Sequence, residues 1–496
     1  MLYQSTRGVA EPVTGGQAVV RGIAPDGGLY VPSEIPRFLP GELMELAGLP
    51  YAGRALRVMG RFFDDVGAEA VARCVDHAWG AGTRFDGPNA APLKDAGDVH
   101  FMELWHGPTC AFKDVALQFL PVIMDEARRQ MGVSEKTLIL VATSGDTGKA
   151  ALEGFRDVPG THCAVFYPDG GVSDVQRLQM VTQRGGNVDV IAVRGNFDDA
   201  QTGVKRIFAD GGFSERLHGA GWALSSANSI NWGRLAPQIV YYVSAWCELY
   251  AAGQIGSGEK IDFVVPTGNF GNILAAWYAR EMGVPIGRLV CASNRNRVLT
   301  DFFRTGSYDV NRPFHKTISP AMDIVVSSNL ERLLYELSGR DGQAVSGFMS
   351  RLKSDGTYTV PAGIFNRTAE VFHAGTADDS ETSACIREVF REKGILLDPH
   401  TAVGWKVLKE LGAERKTVLV STASPYKFAG DVLNAIEGTN VPREGGREDC
   451  DRLYALTGVE PPLPIRELWN LPVRHTLVCE KQDMAPALLQ ALEGVK

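Results

Sequence analysis

The chain lacks several features that would identify its chemistry quickly. None of its eight cysteines (Cys74, Cys110, Cys163, Cys247, Cys291, Cys385, Cys450 and Cys479) forms a C-x-x-C pair, which excludes zinc-ribbon and thioredoxin-type sites. Scattered through 496 residues, they do not suit the disulfide frameworks of small secreted domains; buried, reduced thiols are expected, and no metal site. Basic residues are not in excess: 50 Lys and Arg against 58 Asp and Glu leave a net charge of -8. That disfavours nucleic acid as a partner, because a phosphate backbone needs a basic footprint. A small anionic substrate remains compatible, since a local cluster of donors can hold a phosphate inside an acidic protein. The first residues, Met1 to Arg7, lack the apolar core of a signal peptide. No apolar run is long enough to span a bilayer, so no membrane partner is expected and the cytoplasm is the expected compartment. Internal repeats, heptad arrays and low-complexity tracts are also missing.

The composition, 45% hydrophobic and 22% charged, is that of an ordinary soluble chain. Its length predicts about two or three domains. Residues 1 to about 95 are rich in Pro and Gly and read as a mainly helical N-terminal domain. From about residue 98 short apolar runs end in Gly/Ser/Thr/Asn loops, and a helical pattern follows each. Leu138 to Thr143, His162 to Tyr167, Val188 to Val193, Ile261 to Pro266 and Thr417 to Ser421 are the runs. Strand, loop and helix in repeated order predict an α/β fold with parallel sheet, whose ligands sit at the carboxyl ends of the strands. Residues 96 to 496 are taken as the catalytic region, with a smaller α/β subdomain over about 130 to 215. A polar, irregular stretch from about 305 to 385 reads as an insertion.

Five segments carry chemistry. In Phe101-Met-Glu-Leu-Trp-His-Gly-Pro-Thr-Cys-Ala-Phe-Lys-Asp114, Lys113 opens a helical stretch between Phe112 and Val115. It reads either as a snorkelling surface lysine or as a desolvated amine, which loses its proton more readily. Thr143-Ser-Gly-Asp-Thr-Gly148 is a strand-to-helix loop that suits an anion, or simply a capped helix with Asp146 or Thr147 as the cap. Thr267-Gly-Asn-Phe-Gly-Asn272 repeats that arrangement. It is no P-loop, because the G-K-[ST] ending is missing, and it lacks the full G-x-G-x-x-G; a phosphate held by backbone amides fits it, as does a capped turn. Ser225-Ser-Ala-Asn-Ser-Ile-Asn-Trp-Gly-Arg234 gathers amides, hydroxyls and a guanidinium suited to bidentate oxygen contacts, or forms a polar surface loop. Ser421-Thr-Ala-Ser-Pro-Tyr-Lys-Phe428 closes the last strand.

Together, and in this order, H-G-P-T-x-A-F-K-D, A-T-S-G-D-T-G, S-A-N-S-I-N-x-x-R, T-G-N-F-G-N and S-T-A-S-P-Y-K-F resemble the threonine synthases. Gly28-Leu-Tyr-Val-Pro32 is similar to a segment near the start of their longer bacterial and fungal branch. The resemblance covers nearly the whole chain. It implies the fold-type II architecture of pyridoxal-phosphate (PLP) enzymes: two parallel-sheet α/β domains with an N-terminal domain and an insertion. It implies that Lys113 carries the PLP and that Gly268, Asn269, Phe270, Gly271 and Asn272 cradle its phosphate. The pyridine nitrogen would face the Thr422 hydroxyl. Ser144, Asp146 and Thr147 would belong to the loop that holds the substrate's α-carboxylate, and Asn228, Ser229 and Arg234 would hold its phosphate. The implied reaction converts O-phospho-L-homoserine and water to L-threonine and phosphate, by a monomer or homodimer. A related phospho-lyase ending at 2-oxobutyrate would use the same residues, and a non-catalytic PLP-fold binding protein is the rival of another class. Where many members have His the chain has Ser424, and Tyr426 replaces a small residue; neither is given a role.

Overall fold

The computed structural model describes residues 1–493. The N-terminal part opens with the strand Leu2–Ser5, paired antiparallel with Val13–Thr14 and with Tyr30–Pro32. Its helices Tyr51–Phe62 and Ala68–Trp79 turn one face inward. On the first, Tyr51, Ala55, Val58, Met59 and Phe62 are buried, the three-to-four spacing of an amphipathic helix. The expected helical content is therefore joined by a small sheet.

Two parallel sheets build the rest. One has five strands in the order Leu477–Glu480, Val188–Arg194, Thr161–Pro168, Lys136–Ala142, Trp222–Ser225. The other has six, in the order Phe372–Thr376, Ile286–Ser293, Ile261–Pro266, Thr417–Ser421, Val99–Glu103, Leu93–Asp95. Every pairing is parallel except that of the edge strand Leu93–Asp95 with Val99–Glu103. Thr161–Pro168 and Ile261–Pro266 are buried along their whole length, as strands covered by helices on both faces must be.

Strand order positions the site. Ile261–Pro266, Thr417–Ser421 and Val99–Glu103 are neighbours, so the G-N-F-G-N, S-T-A-S and H-G-P-T loops leave one sheet side by side. Lys136–Ala142 and Trp222–Ser225 are neighbours in the other sheet, so the T-S-G-D-T and S-S-A-N-S loops emerge together. All five motifs thus follow the carboxyl ends of adjacent strands.

The stretch from 305 to 385 holds the antiparallel strand pair Ser307–Asp309 with Thr357–Thr359 and the helices Leu330–Leu337, Gly342–Asp355 and Ala362–Ala369. It also supplies Phe372–Thr376, an edge strand of the six-stranded sheet. Only part of that strand is buried, so it has no apolar run to betray it. Trp222–Ser225 and Leu477–Glu480, likewise short and partly buried edges, extend the five-stranded sheet beyond residues 130 to 215. All eight cysteines are buried and unpaired. No helix among the described residues is long and apolar enough to cross a membrane.

The helix Asp146–Phe155 packs tightly on Lys113–Leu117: a Cβ added at Gly154 would lie 2.0 Å from the Leu117 carbonyl oxygen. Gly154→Ala must push these helices apart. It is expected to lower stability by about 1–3 kcal/mol, measured as a lower midpoint in urea unfolding. An unchanged midpoint would show that the contact yields at no cost.

Candidate active site

Lys113 is the first residue of a short helix, and its side chain is buried. Asp114 prepares the turn before it, accepting from the Thr109 amide at 2.9 Å and from the Thr109 hydroxyl at 2.6 Å. The Lys113 ammonium lies 5.0 Å from the centre of the Phe112 ring and 3.4 Å from Asp146 Oδ2. Burial lowers its hold on a proton, Asp146 opposes this, and the positive charges of Arg234 and Lys427 add to it. The snorkelling alternative is therefore set aside.

Thr422 reaches Lys113 through backbone pairing. The Phe112 amide donates to the Thr422 carbonyl at 2.9 Å, Ala111 bridges Ala423, and the Ser424 amide donates to Cys110 at 3.0 Å. Ser424 itself caps the turn Pro425–Phe428, accepting from the Tyr426 amide at 3.3 Å. A cap is thus the work of the residue that stands in place of histidine. Tyr426 is buried and donates to the Val459 carbonyl.

In the T-S-G-D-T loop the capping is done by neither Asp146 nor Thr147. Thr143 Oγ1 accepts from the amides of Gly145 at 3.0 Å and Gly148 at 2.9 Å. Ser144 and Thr147 stay half-buried at the mouth of the loop. Asp146 is buried among donors: Lys427 Nζ and Gln176 Nε2 lie 2.9 Å from Oδ1, and Lys113 lies by Oδ2. Burial would raise its pKa, but Lys427 and Lys113 outweigh that and hold the carboxyl well below the usual range.

The helix Gly271–Glu281 begins after Phe270, whose left-handed φ of 64° leaves its first turn without a side-chain cap. Its leading amides are a ready anion receptor. The insertion holds this loop: Ser327 Oγ donates to the Gly268 carbonyl at 2.8 Å and Asn329 Nδ2 to the Asn269 carbonyl at 3.1 Å. Asn272 accepts from the hydroxyls of Tyr241 at 2.5 Å and Tyr242 at 2.6 Å, while its own amide nitrogen has no partner. A Cβ at Gly271 would lie 3.6 Å from Ser229 Cβ, which puts the fourth motif beside this loop.

Arg234 lies in the first turn of the helix Trp232–Ala251, capped by Asn231. It is buried, donates to the Ala227 carbonyl at 2.6 Å and makes no ion pair with a carboxylate among the described residues. Desolvation pulls its pKa down to about 10. Asn228 is exposed and Ser229 half-buried on the loop just before it. Sequence reasoning missed Lys427, Gln176, Asn329 and Arg332. Lys427 alone carried a signal, a lysine between Tyr426 and Phe428 much as Lys113 follows Phe112.

The residues present fit pyridoxal phosphate: a buried amine, an uncapped helix start for a phosphate, and a neighbouring hydroxyl. Residues 2–79 match the family described as threonine synthase N terminus, and residues 88–348 match the family described as pyridoxal-phosphate dependent enzyme. A threonine synthase of Pseudomonas aeruginosa is 42% identical over 440 residues, covering 88% of this chain and 90% of that one. The chain belongs to the threonine synthase family. Human threonine synthase-like 1 is 39% identical over 463 residues, 91% of this chain but 61% of that longer protein. The crystal structure of PLP-bound threonine synthase from Brucella melitensis superposes with a TM-score of 0.88 at 37% identity, over 100% of both chains. The chain is thus a PLP-dependent lyase of fold-type II, as the motifs implied.

Two glycines of the expected cradle differ in their surroundings. A Cβ at Gly268 would lie 2.5 Å from the Ala321 carbonyl oxygen, whereas at Gly271 it meets nothing closer than 3.4 Å. Gly268→Ala is expected to lower both the unfolding midpoint and the affinity for PLP. Gly271→Val is expected to spare the fold yet weaken PLP by about tenfold or more, equivalent to about 1.4 kcal/mol. Dialysis with absorbance measures both; unchanged affinity in Gly271→Val would remove the cradle from this loop.

Proposed function

We propose that this enzyme converts O-phospho-L-homoserine and water to L-threonine and phosphate. One observation carries the reading. Two separate anion receptors accompany the buried amine of Lys113: the uncapped helix start at Gly271 and the guanidinium of Arg234, which has no carboxylate. A cofactor phosphate occupies one, and a phosphorylated substrate needs the other.

When bound, pyridoxal phosphate supplies an electron sink for carbanions. Lys113 would hold the cofactor through its amine. Its lowered hold on a proton then suits it to move protons between the α, β and γ carbons of the substrate. Thr422 would offer the pyridine nitrogen a hydroxyl, a neutral partner where a carboxylate would enforce protonation. Residues 268 to 272 would hold the cofactor phosphate. Ser144 and Thr147, with the loop amides, receive the substrate's α-carboxylate. Asp146, ionised and facing lysines, repels that carboxylate and is assigned to the lysines. Arg234, with Asn228 and Ser229, holds the substrate phosphate and takes up charge as it leaves from Cγ; water then adds at Cβ. Soluble action on a small substrate, in the cytoplasm and as a monomer or homodimer, completes the reading.

Product analysis with O-phospho-L-homoserine tests it. Threonine and phosphate in equal amounts are expected, and 2-oxobutyrate as the main product would assign the related elimination instead. Borohydride reduction and peptide mapping should leave the pyridoxyl group on Lys113. Arg234→Ala is expected to keep the cofactor's absorbance while turnover falls roughly a hundredfold or more. Loss of cofactor, or wild-type turnover, would give Arg234 a different task. Thr422→Val should reduce turnover by the equivalent of about 1–3 kcal/mol while PLP stays bound; full turnover would remove the hydroxyl from the mechanism.

A further inference from the structure

Lys427 follows the strand that leads to Thr422, and its side chain is wholly buried. A buried ammonium must spend its donors on acceptors. Its contacts are the Thr109 carbonyl at 2.8 Å, Gln179 Oε1 at 2.9 Å and Asp146 Oδ1 at 2.9 Å. Lys113 holds the other Asp146 oxygen by one longer contact of 3.4 Å. One carboxylate therefore sits between two buried lysines, and the geometry commits only one of them to it.

This arrangement resolves a conflict. A carboxylate beside Lys113 orients the amine, but alone it would also keep a proton there, and a protonated amine is neither nucleophile nor base. A second ammonium on the same carboxylate removes that cost. We propose that Lys427 is a positioning residue: its fully bonded ammonium balances Asp146, so that Asp146 orients the Lys113 amine without holding a proton on it. The proposal rests on the reading of Lys113 as the reactive amine, which pyridoxyl mapping tests separately.

The charged groups around Lys113 are Asp146, Arg234 and Lys427. Around Lys427 stand Asp146, Asp114 and Lys149, together with the Cys110 thiol. Arg234 and Lys149 remain when Lys427 is changed, and of the two carboxylates only Asp146 is in contact with both Lys427 and Lys113, so Asp146 is the group whose balance is lost.

The measurement is competitive acetylation of Lys113 against pH, in the full-length chain freed of cofactor, with peptide mapping. In Lys427→Met the pH midpoint of Lys113 labelling should rise by about one unit or more, the effect of an opposite charge within reach. Lys427→Arg, which keeps the charge, should stay near wild type. Asp146→Asn with Lys427→Met, which removes both charges, should bring the midpoint back down. The acid limb of kcat/KM in the loaded enzyme should move in the same direction. An unmoved midpoint in folded Lys427→Met, or no return in the double variant, overturns the proposal. Should Lys427→Met fail to fold, Lys427→Gln, which removes the charge but keeps a polar side chain, takes its place; the Lys113 midpoint must rise there too, and an unmoved midpoint overturns the proposal equally.

Discussion

A guanidinium cannot be buried unless its N–H groups find acceptors, and Arg332 is fully buried. Its acceptors come from three distant parts of the chain: the Tyr30 carbonyl at 3.0 Å, the Ser229 and Ile230 carbonyls at 3.4 and 2.6 Å, and the side chain of Asn329. Leaving any of them unmade strands a buried charged donor, so the N-terminal sheet, the S-S-A-N-S loop and the insertion must meet here. Burial pulls the pKa of Arg332 down to about 10, a mark of how little solvent it keeps. Its guanidinium also lies 5.8 Å from the Trp232 ring, which packs among Tyr3, Phe62 and Tyr278. Trp232 opens the helix that carries Arg234, and Asn231 beside it donates to the Val19 carbonyl at 2.9 Å. The N-terminal part is thus a brace for the loop assigned to the substrate phosphate.

The insertion braces the opposite receptor. Ser327 and Asn329 hold the carbonyls of Gly268 and Asn269, two residues before the helix that offers its amides. Asn329 also belongs to the Arg332 cluster. One short segment therefore ties together the two loops that are proposed to receive phosphates.

Charge is distributed unevenly inside the site. Lys113 and Lys427 are buried on one carboxylate, Asp146, while Arg234 is buried within reach of Lys113 and has no carboxylate partner among the described residues. Such an excess of cations is costly in a low-dielectric interior. Anionic ligands offset it, so binding energy and the stability of the empty fold are linked. An acidic chain of net charge -8 can hold two phosphates because the positive groups are local and desolvated.

Much of this was legible in the sequence, because it depends on neighbours along the chain. A buried parallel strand reads as a continuous apolar run, and the loops after Val141, Val265 and Val420 announce themselves by glycine, threonine and asparagine. The motifs and their order named the family and the cofactor. The short, partly buried edges, Trp222–Ser225, Phe372–Thr376 and Leu477–Glu480, were not legible, since none carries a long, fully buried apolar run. Nor were the tasks of Asp146, Lys427 and Arg332, whose partners lie far along the chain. Residue types and local spacing set which loops can bind anions. Which loops stand together, and which charge balances which, was decided only when crossover helices packed the strands in a non-sequential order and buried those charges where each needed a partner.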